Sequence, residues 1–244
     1  MSSRVSGSRV DAERRPPPPD LAERVETLWL GRWDLPADAP HTTRLIGDPC
    51  AHLCVERSGD EAPRGRLVGV WTQLWERTLA RRGWVAGVKL HAGAAGVVGG
   101  DASRFRNRIT PLGEALPGVA LPAELDEDAA FELLVGALRS LPRRPDTELA
   151  VRACRLARAP EIQRVDQLAD ALGLGVRDLQ RVFRVEVGAP PKHVIRRHRL
   201  QEAAGRIERG EYVDLAELAQ ALGYADQAHL TRDFKAAVGA TPSA

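Results

Sequence analysis

Arginine and glutamine are the side chains best shaped to grip guanine and adenine edges with paired hydrogen bonds. They cluster with other polar residues at two places near the end of this 244-residue chain. One set is Arg177, Asp178, Gln180, Arg181 and Arg184; the other is Gln227, His229, Thr231 and Arg232. Apolar residues interleave them at spacings of three and four, namely Leu179, Val182 and Phe183 in the first set and Leu230 and Phe234 in the second. That period is helical, so the apolar residues turn to a core and the polar ones turn outward. Both outward sets are therefore candidates for contact with base edges in a DNA groove.

The elements that must position them repeat. Leu168-Ala169-Asp170-Ala171-Leu172-Gly173 recurs fifty residues later as Leu218-Ala219-Gln220-Ala221-Leu222-Gly223. A short helix, a glycine turn and a second helix make the sequence form of helix-turn-helix. Gly173 and Gly223 stand where the first helix ends and a positive φ is needed. Ala169 and Ala219 are small where two helices cross. Asp226 is a sound N-cap for the second outward helix, whereas Gly175 is a weaker one for the first.

Between the copies, Pro190-Pro191 opens a long helix reaching about Arg209 and rich in cations. Lys192, Arg196, Arg197 and Arg199, with Lys235 of the second copy, are candidates for phosphate contacts, which set register and salt dependence. The second copy also carries Glu211, Asp214, Glu217 and Asp233. The first copy is therefore expected to supply more of the affinity.

With these residues in view, the stretch from about 146 to 244 resembles the DNA-binding domain of AraC-type transcription regulators. The resemblance rests on the two repeats, Gly188 with Pro190-Pro191, Arg199-Leu200-Gln201-Glu202-Ala203, Tyr224, His229-Leu230, Phe234-Lys235 and Gly239-Ala240-Thr241-Pro242. It implies a seven-helix domain with two recognition helices about one helical turn of DNA apart. It departs at Gly175, where the family favours a small hydroxyl residue, and in the acidic second copy. Residues 29–100 resemble, more weakly, the cupin-like sensor domains of some of these regulators, chiefly through Asp48-Pro49-Cys50-Ala51-His52-Leu53 and Gly87-Val88-Lys89-Leu90.

Upstream, residues 25–109 read as short apolar runs broken by Gly, Pro and Asp, which is the texture of strands. All five tryptophans, Trp29, Trp33, Trp71, Trp75 and Trp84, lie there and could line an apolar effector pocket. Ordinary core packing is the competing reading for each. Cys50, His52 and Cys54 alternate and would share one strand face, but with no CxxC pair no metal is expected. Asp126-Glu127-Asp128 starts an amphipathic helix that Pro142 stops.

The formal charge is only +2, so the argument for DNA rests on where the charge sits. Three cysteines cannot make a disulfide framework, and no apolar run is long enough to span a membrane or lead a secretory signal, so a cytoplasmic protein is expected. The expected fold class is α+β. Residues 1–20 form a disordered tail, 21–122 a mainly β cupin-like sandwich or barrel for sensing and dimerisation, 123–145 a connecting helix and hinge at 141–145, and 146–244 the all-α tandem helix-turn-helix domain.

The expected function is a sequence-specific regulator that binds double-stranded DNA and responds to a small-molecule effector. A homodimer is expected, as is contact with RNA polymerase if it activates. No catalytic residues, cofactor or membrane partner are expected. Two alternatives stand beside it: a β-domain enzyme tethered to DNA, for which no nucleophile–base pair or phosphate loop speaks, and a non-specific architectural or interaction module.

Overall fold

Along the strand β2 (Val25–Asp34) side chains divide by parity. Leu28 and Leu30 are buried in one core, while Trp29 and Trp33 turn to the opposite face. The same division runs through the neighbouring strands, as the two-residue period of a pleated strand demands. In a computed structural model describing residues 9–36, 38–212, 214–239 and 241–242, this alternation builds a six-stranded antiparallel sheet covered differently on its two faces.

The strands are β1 (Arg9–Arg15), β2, β3 (His41–Ile46), β4 (His52–Ser58), β5 (Arg64–Val68), β6 (Leu74–Leu79), β7 (Arg82–Leu90) and β8 (Ile109–Pro111). The large sheet runs β1-β2-β7-β4-β5-β8, and β3 pairs with β6 as a separate two-stranded sheet. Beyond α1 (Leu112–Ala115), the helix α2 (Glu127–Ser140) packs on β7 and β4. Phe131, Leu134 and Leu138 of α2 meet Leu53, Val55, Ala86 and Val88 in one apolar layer. Asp126 caps α2 by accepting from the Ala129 N–H at 2.8 Å.

Two expectations are corrected here. Residues 9–20 are not a tail: β1 pairs with β2 in a register from Arg9 opposite Asp34 to Arg15 opposite Leu28, and a 3-10 turn follows at Pro19–Leu21. An edge strand draws its hydrogen bonds from its neighbour, so β1 needs no apolar core of its own; Arg15 reaches Glu13 and, at 2.9 Å, Asp128. Residues 1–8 of the expected tail lie outside the described residues.

The second correction concerns the hinge. α3 (Pro145–Leu156), α4 (Val165–Ala171), α5 (Val176–Val182), a π-helical turn (Phe183–Val187), α6 (Pro191–Arg209), α7 (Leu215–Ala221) and α8 (Gln227–Val238) follow. One continuous core runs from Leu21 through the sheet and α2 to Leu168, Leu179, Phe183 and Ile195. A separate core holds Leu200, Ala203, Leu218, Leu222, Tyr224, Leu230 and Phe234. Packing thus divides within α6, between Ile195 and Leu200, and not at residues 141–145.

A buried carboxylate fastens the first helical unit to the sheet domain. Glu186, with no exposed side chain, accepts from Arg144 Nε at 2.9 Å and from Thr147 Oγ1 at 2.8 Å. Arg144 also donates to the Gly100 carbonyl at 3.2 Å, and a Cβ at Gly96 would stand 2.6 Å from the Glu186 carboxylate.

Candidate nucleic-acid interface and effector cavity

The two repeated segments close their turns with the same hydrogen bonds. Gly173 (φ 65°) donates to the Asp170 carbonyl at 3.0 Å and Leu174 to Ala169 at 3.0 Å; Gly223 (φ 70°) donates to Gln220 at 2.9 Å and Tyr224 to Ala219 at 2.9 Å. Both glycines sit in the left-handed region that a Cβ disfavours. Leu168 and Ala169 are buried in one unit, and Leu218 and Ala219 in the other. Each turn then delivers a second helix, α5 or α8, across the first.

On α5, Leu179 and Val182 are buried while Arg177, Asp178, Gln180 and Arg181 are exposed, as is Arg184 in the π turn. On α8, Leu230 and Phe234 are buried, Gln227, His229, Arg232 and Lys235 are exposed and Thr231 is half-buried. Gly175 caps α5 without a side-chain bond, and Asp226 caps α8 by accepting from the His229 N–H at 2.7 Å. Two acids invisible to a local reading stand by the first helix. Asp146 lies 3.5 Å from Arg181, and Asp101 lies 3.1 Å from Arg184. Both arginines and Asp146 are solvent-exposed and Asp101 is half-buried, so each pair is worth about 1 kcal/mol and a phosphate or base could displace either acid.

The basic helix α6 differs from its expected role. Lys192 is exposed. Arg196 is half-buried and its Nε pairs with Asp233 of α8 at 2.7 Å. Arg197 is only 7% exposed and turns into the sheet domain, where its Nη2 lies 4.0 Å from Asp48 Oδ1. Arg199 donates to the Gln163 carbonyl and, at 3.4 Å, to Gly223, and its guanidinium lies over the Tyr224 ring at 5.9 Å. Arg197 and Arg199 are therefore not free phosphate contacts. α6 is packed towards both cores, through Val194 and Ile195 to one and through Leu200 and Ala203 to the other. The acids of the second unit are structural too: Asp214 and Asp226 cap helices, and Asp233 holds Arg196.

On the side of the sheet away from α2 lies a cavity of about 990 Å³. Trp29, Trp33, Trp71 and Trp75 line it, with His52, Cys54, Val85, Lys89 and Arg197. Trp84, expected in this set, does not line the cavity; it packs half-buried against the main core. Glycines make room for the rings: a Cβ at Gly87 would collide with Trp29, and one at Gly83 with Trp33.

The cavity has ordered polar groups. Trp29 Nε1 donates to His52 Nδ1 at 3.2 Å, and burial lowers the His52 pKa to about 4, so the ring is neutral. Lys89 Nζ meets Glu26 at 2.9 Å and Asp48 at 3.0 Å. Burial alone would raise the Asp48 pKa, but Lys89 and Arg197 outweigh it and hold the carboxyl below its ordinary value. Burial pushes the Cys54 thiol up to about 12, which makes it an unreactive packing group. Trp71 Nε1 and Arg197 Nε and Nη1 are buried donors without a protein acceptor. His91 rests on the Ala22 carbonyl, outside the cavity lining, and no group of three or more His, Cys, Asp or Glu among the described residues could hold a metal ion.

Residues 168–244 match the family described as a helix-turn-helix domain, and residues 13–111 match a domain of unknown function (DUF6597). Among solved structures, the C-terminal domain of AraT, a response regulator from Geobacillus stearothermophilus, is 24% identical over 38% of this chain and 78% of its own, with a TM-score of 0.34. The xylose-binding transcription activator xylR is 25% identical over 42% of this chain and 26% of its own, with a TM-score of 0.34. ToxT from Vibrio cholerae is 10% identical over 97% of this chain and 96% of its own, with a TM-score of 0.41. No curated protein matches. No helix among the described residues is long and apolar enough to cross a membrane.

Proposed function

We propose that this chain, whose residues 168–244 match a helix-turn-helix domain, is a sequence-specific, effector-responsive regulator of promoter DNA of the AraC type. The carrying observation is the matched pair of glycine turns, each presenting an exposed polar helix face from a buried apolar one. Two such helices suit successive major-groove faces about 10 bp apart. Arg177, Gln180, Arg181 and Arg184 are assigned to base edges with Asp178 beside them, and Gln227, His229, Thr231 and Arg232 read from α8. Lys192 and Lys235 are assigned to phosphates.

The cavity is assigned to a small molecule. Its four tryptophans offer an apolar bed, and the orphaned donors of Trp71 and Arg197 call for a ligand acceptor, since unpaired buried donors are costly. Arg197 belongs to the helix that joins the two reading units, so a ligand that engages it bears directly on how they are spaced. The reading includes a homodimer and, for an activator, contact with RNA polymerase.

Selection of bound duplexes from a random pool tests the DNA half of this reading. Enriched sequences should share one motif; a pool that stays random contradicts it. Quenching of tryptophan fluorescence by apolar ligands carrying an acceptor group tests the cavity, and a response that Trp71→Phe leaves unchanged removes Trp71 from ligand binding.

A further inference from the structure

Three exposed arginines, Arg104, Arg106 and Arg108, stand at alternate positions on a single turn of the sheet domain. None forms an ion pair with a described residue; Arg104 lies over the neighbouring Phe105 ring at 5.8 Å. The one acid of the segment, Asp101, pairs with Arg184 of the first reading unit at 3.1 Å and feels Arg104 only at longer range.

The turn that carries them is tightly fixed. Asn107 adopts a positive φ of 55°, and its Oδ1 accepts from the Thr72 N–H at 2.7 Å and the Thr72 hydroxyl at 3.1 Å. The Arg108 N–H donates to the Phe105 carbonyl at 3.1 Å, and that carbonyl fills the space a Cβ at Gly69 would need. The turn also abuts the first reading unit. Gly188 closes the π turn at φ 80°, and the Ala102 carbonyl lies 2.9 Å from where its Cβ would be. Arg106 is close enough to α6 to act on His193, whose pKa burial lowers to about 4 with help from Arg196, Arg197 and Arg106.

We propose that Arg104, Arg106 and Arg108 form a phosphate-contacting ridge, supplied by the sheet domain, that extends DNA binding beyond the first helix-turn-helix unit. Three unpaired like charges on a rigid turn repel one another in the free protein and are relieved by a polyanion. Three cations of α6 are engaged elsewhere, Arg196 by Asp233, Arg197 by the cavity and Arg199 by two carbonyls, which leaves Lys192 of the expected set to meet phosphate. Arg184, assigned to DNA, pairs with Asp101 three residues before Arg104, which sets the ridge beside the reading surface of the first unit. This inference rests on the DNA-binding reading above.

The test is the salt dependence of binding by the full chain, measured on an enriched duplex and on random duplex. Each phosphate contact contributes about 0.9 to the slope of log affinity against log salt, so R104A/R106A/R108A should flatten it by about 2–3. The loss should be alike on both duplexes, the preferred motif unchanged, and R104K/R106K/R108K close to the parent. Should the alanine variant melt early, the single Arg106→Glu serves in its place and should weaken both duplexes alike. A parent slope retained in the alanine variant or in Arg106→Glu, or a loss confined to the enriched sequence, overturns the ridge. Failure of the base-reading proposal is separate: the parent would then show no preferred motif, while the ridge is still judged by its slope on random duplex.

Discussion

Arg197 of α6 and Asp48, in the loop before β4, face each other across 4.0 Å, one from the helix between the two reading units and the other from the cavity wall. The contact joins the element that spaces the recognition helices to the place where a ligand would bind. Asp48 is shared with Lys89 at 3.0 Å, so the three charges form one partly buried cluster.

Arg197→Ala should therefore leave the salt slope of DNA binding unchanged and cost about 1–3 kcal/mol of stability, because Asp48 loses one of its two counter-charges in a partly buried site. The same variant should weaken the effect of any cavity ligand on DNA affinity. A slope reduced by about one unit would return Arg197 to the phosphate contacts.

Arg181→Ala should lower discrimination at one base pair by about 1–3 kcal/mol, read as competition between single-site DNA variants. Asp146→Asn removes the acid that competes for Arg181, and binding should tighten by roughly two- to five-fold, in keeping with an exposed ion pair worth up to about 1 kcal/mol. Weaker binding by Asp146→Asn would show that Asp146 positions Arg181 instead of competing for it.

The two cores should melt apart. All five tryptophans lie in residues 29–84, on the first core or the cavity. Leu230→Ala, which costs about 2–5 kcal/mol at a fully buried leucine, should remove helical circular dichroism early while leaving the tryptophan fluorescence transition in place. Leu179→Ala should shift both signals, because Leu179 belongs to the core that the sheet shares. Coincident shifts in Leu230→Ala would mean a single cooperative body.

Stability should fall on mild acidification. Burial lowers His52, His193 and His198 to about 4, against an ordinary value of 6.5. Between those values the unfolded chain binds protons that the folded one refuses, so stability is full above pH 6.5 and declines towards pH 4. Urea midpoints at pH 7 and pH 5 check the sign, and an unchanged midpoint would contradict the burial of these rings. Glu186→Ala, which strands Arg144 and Thr147, should cost roughly 3 kcal/mol at pH 7 by the same measurement.

Short-range pattern carried much of this structure. The parity of Leu28 and Trp29, the spacing of Leu179 and Phe183, and the paired glycines at 173 and 223 each follow from a local period or a single backbone angle. What local pattern could not show is where a side chain goes when its partner is far away. Arg197 beside Val194 looks like an ordinary solvated cation until Asp48, from another element, is placed against it. β1 looked unfoldable because its hydrogen bonds belong to β2. Asp233 reads as one more acid of the second copy until Arg196 is placed against it. Arg104, Arg106 and Arg108 carry no local signal, because only the fold brings their turn to the edge of the first reading unit.

The most direct test of the central claim is a hydroxyl-radical footprint of the full chain on a duplex enriched from a random pool. Two helix-turn-helix units reading together predict two protected backbone segments about 10 bp apart, with Arg181→Ala weakening one and Arg232→Ala the other. Protection of one segment only, unaffected by Arg232→Ala, would contradict the tandem reader.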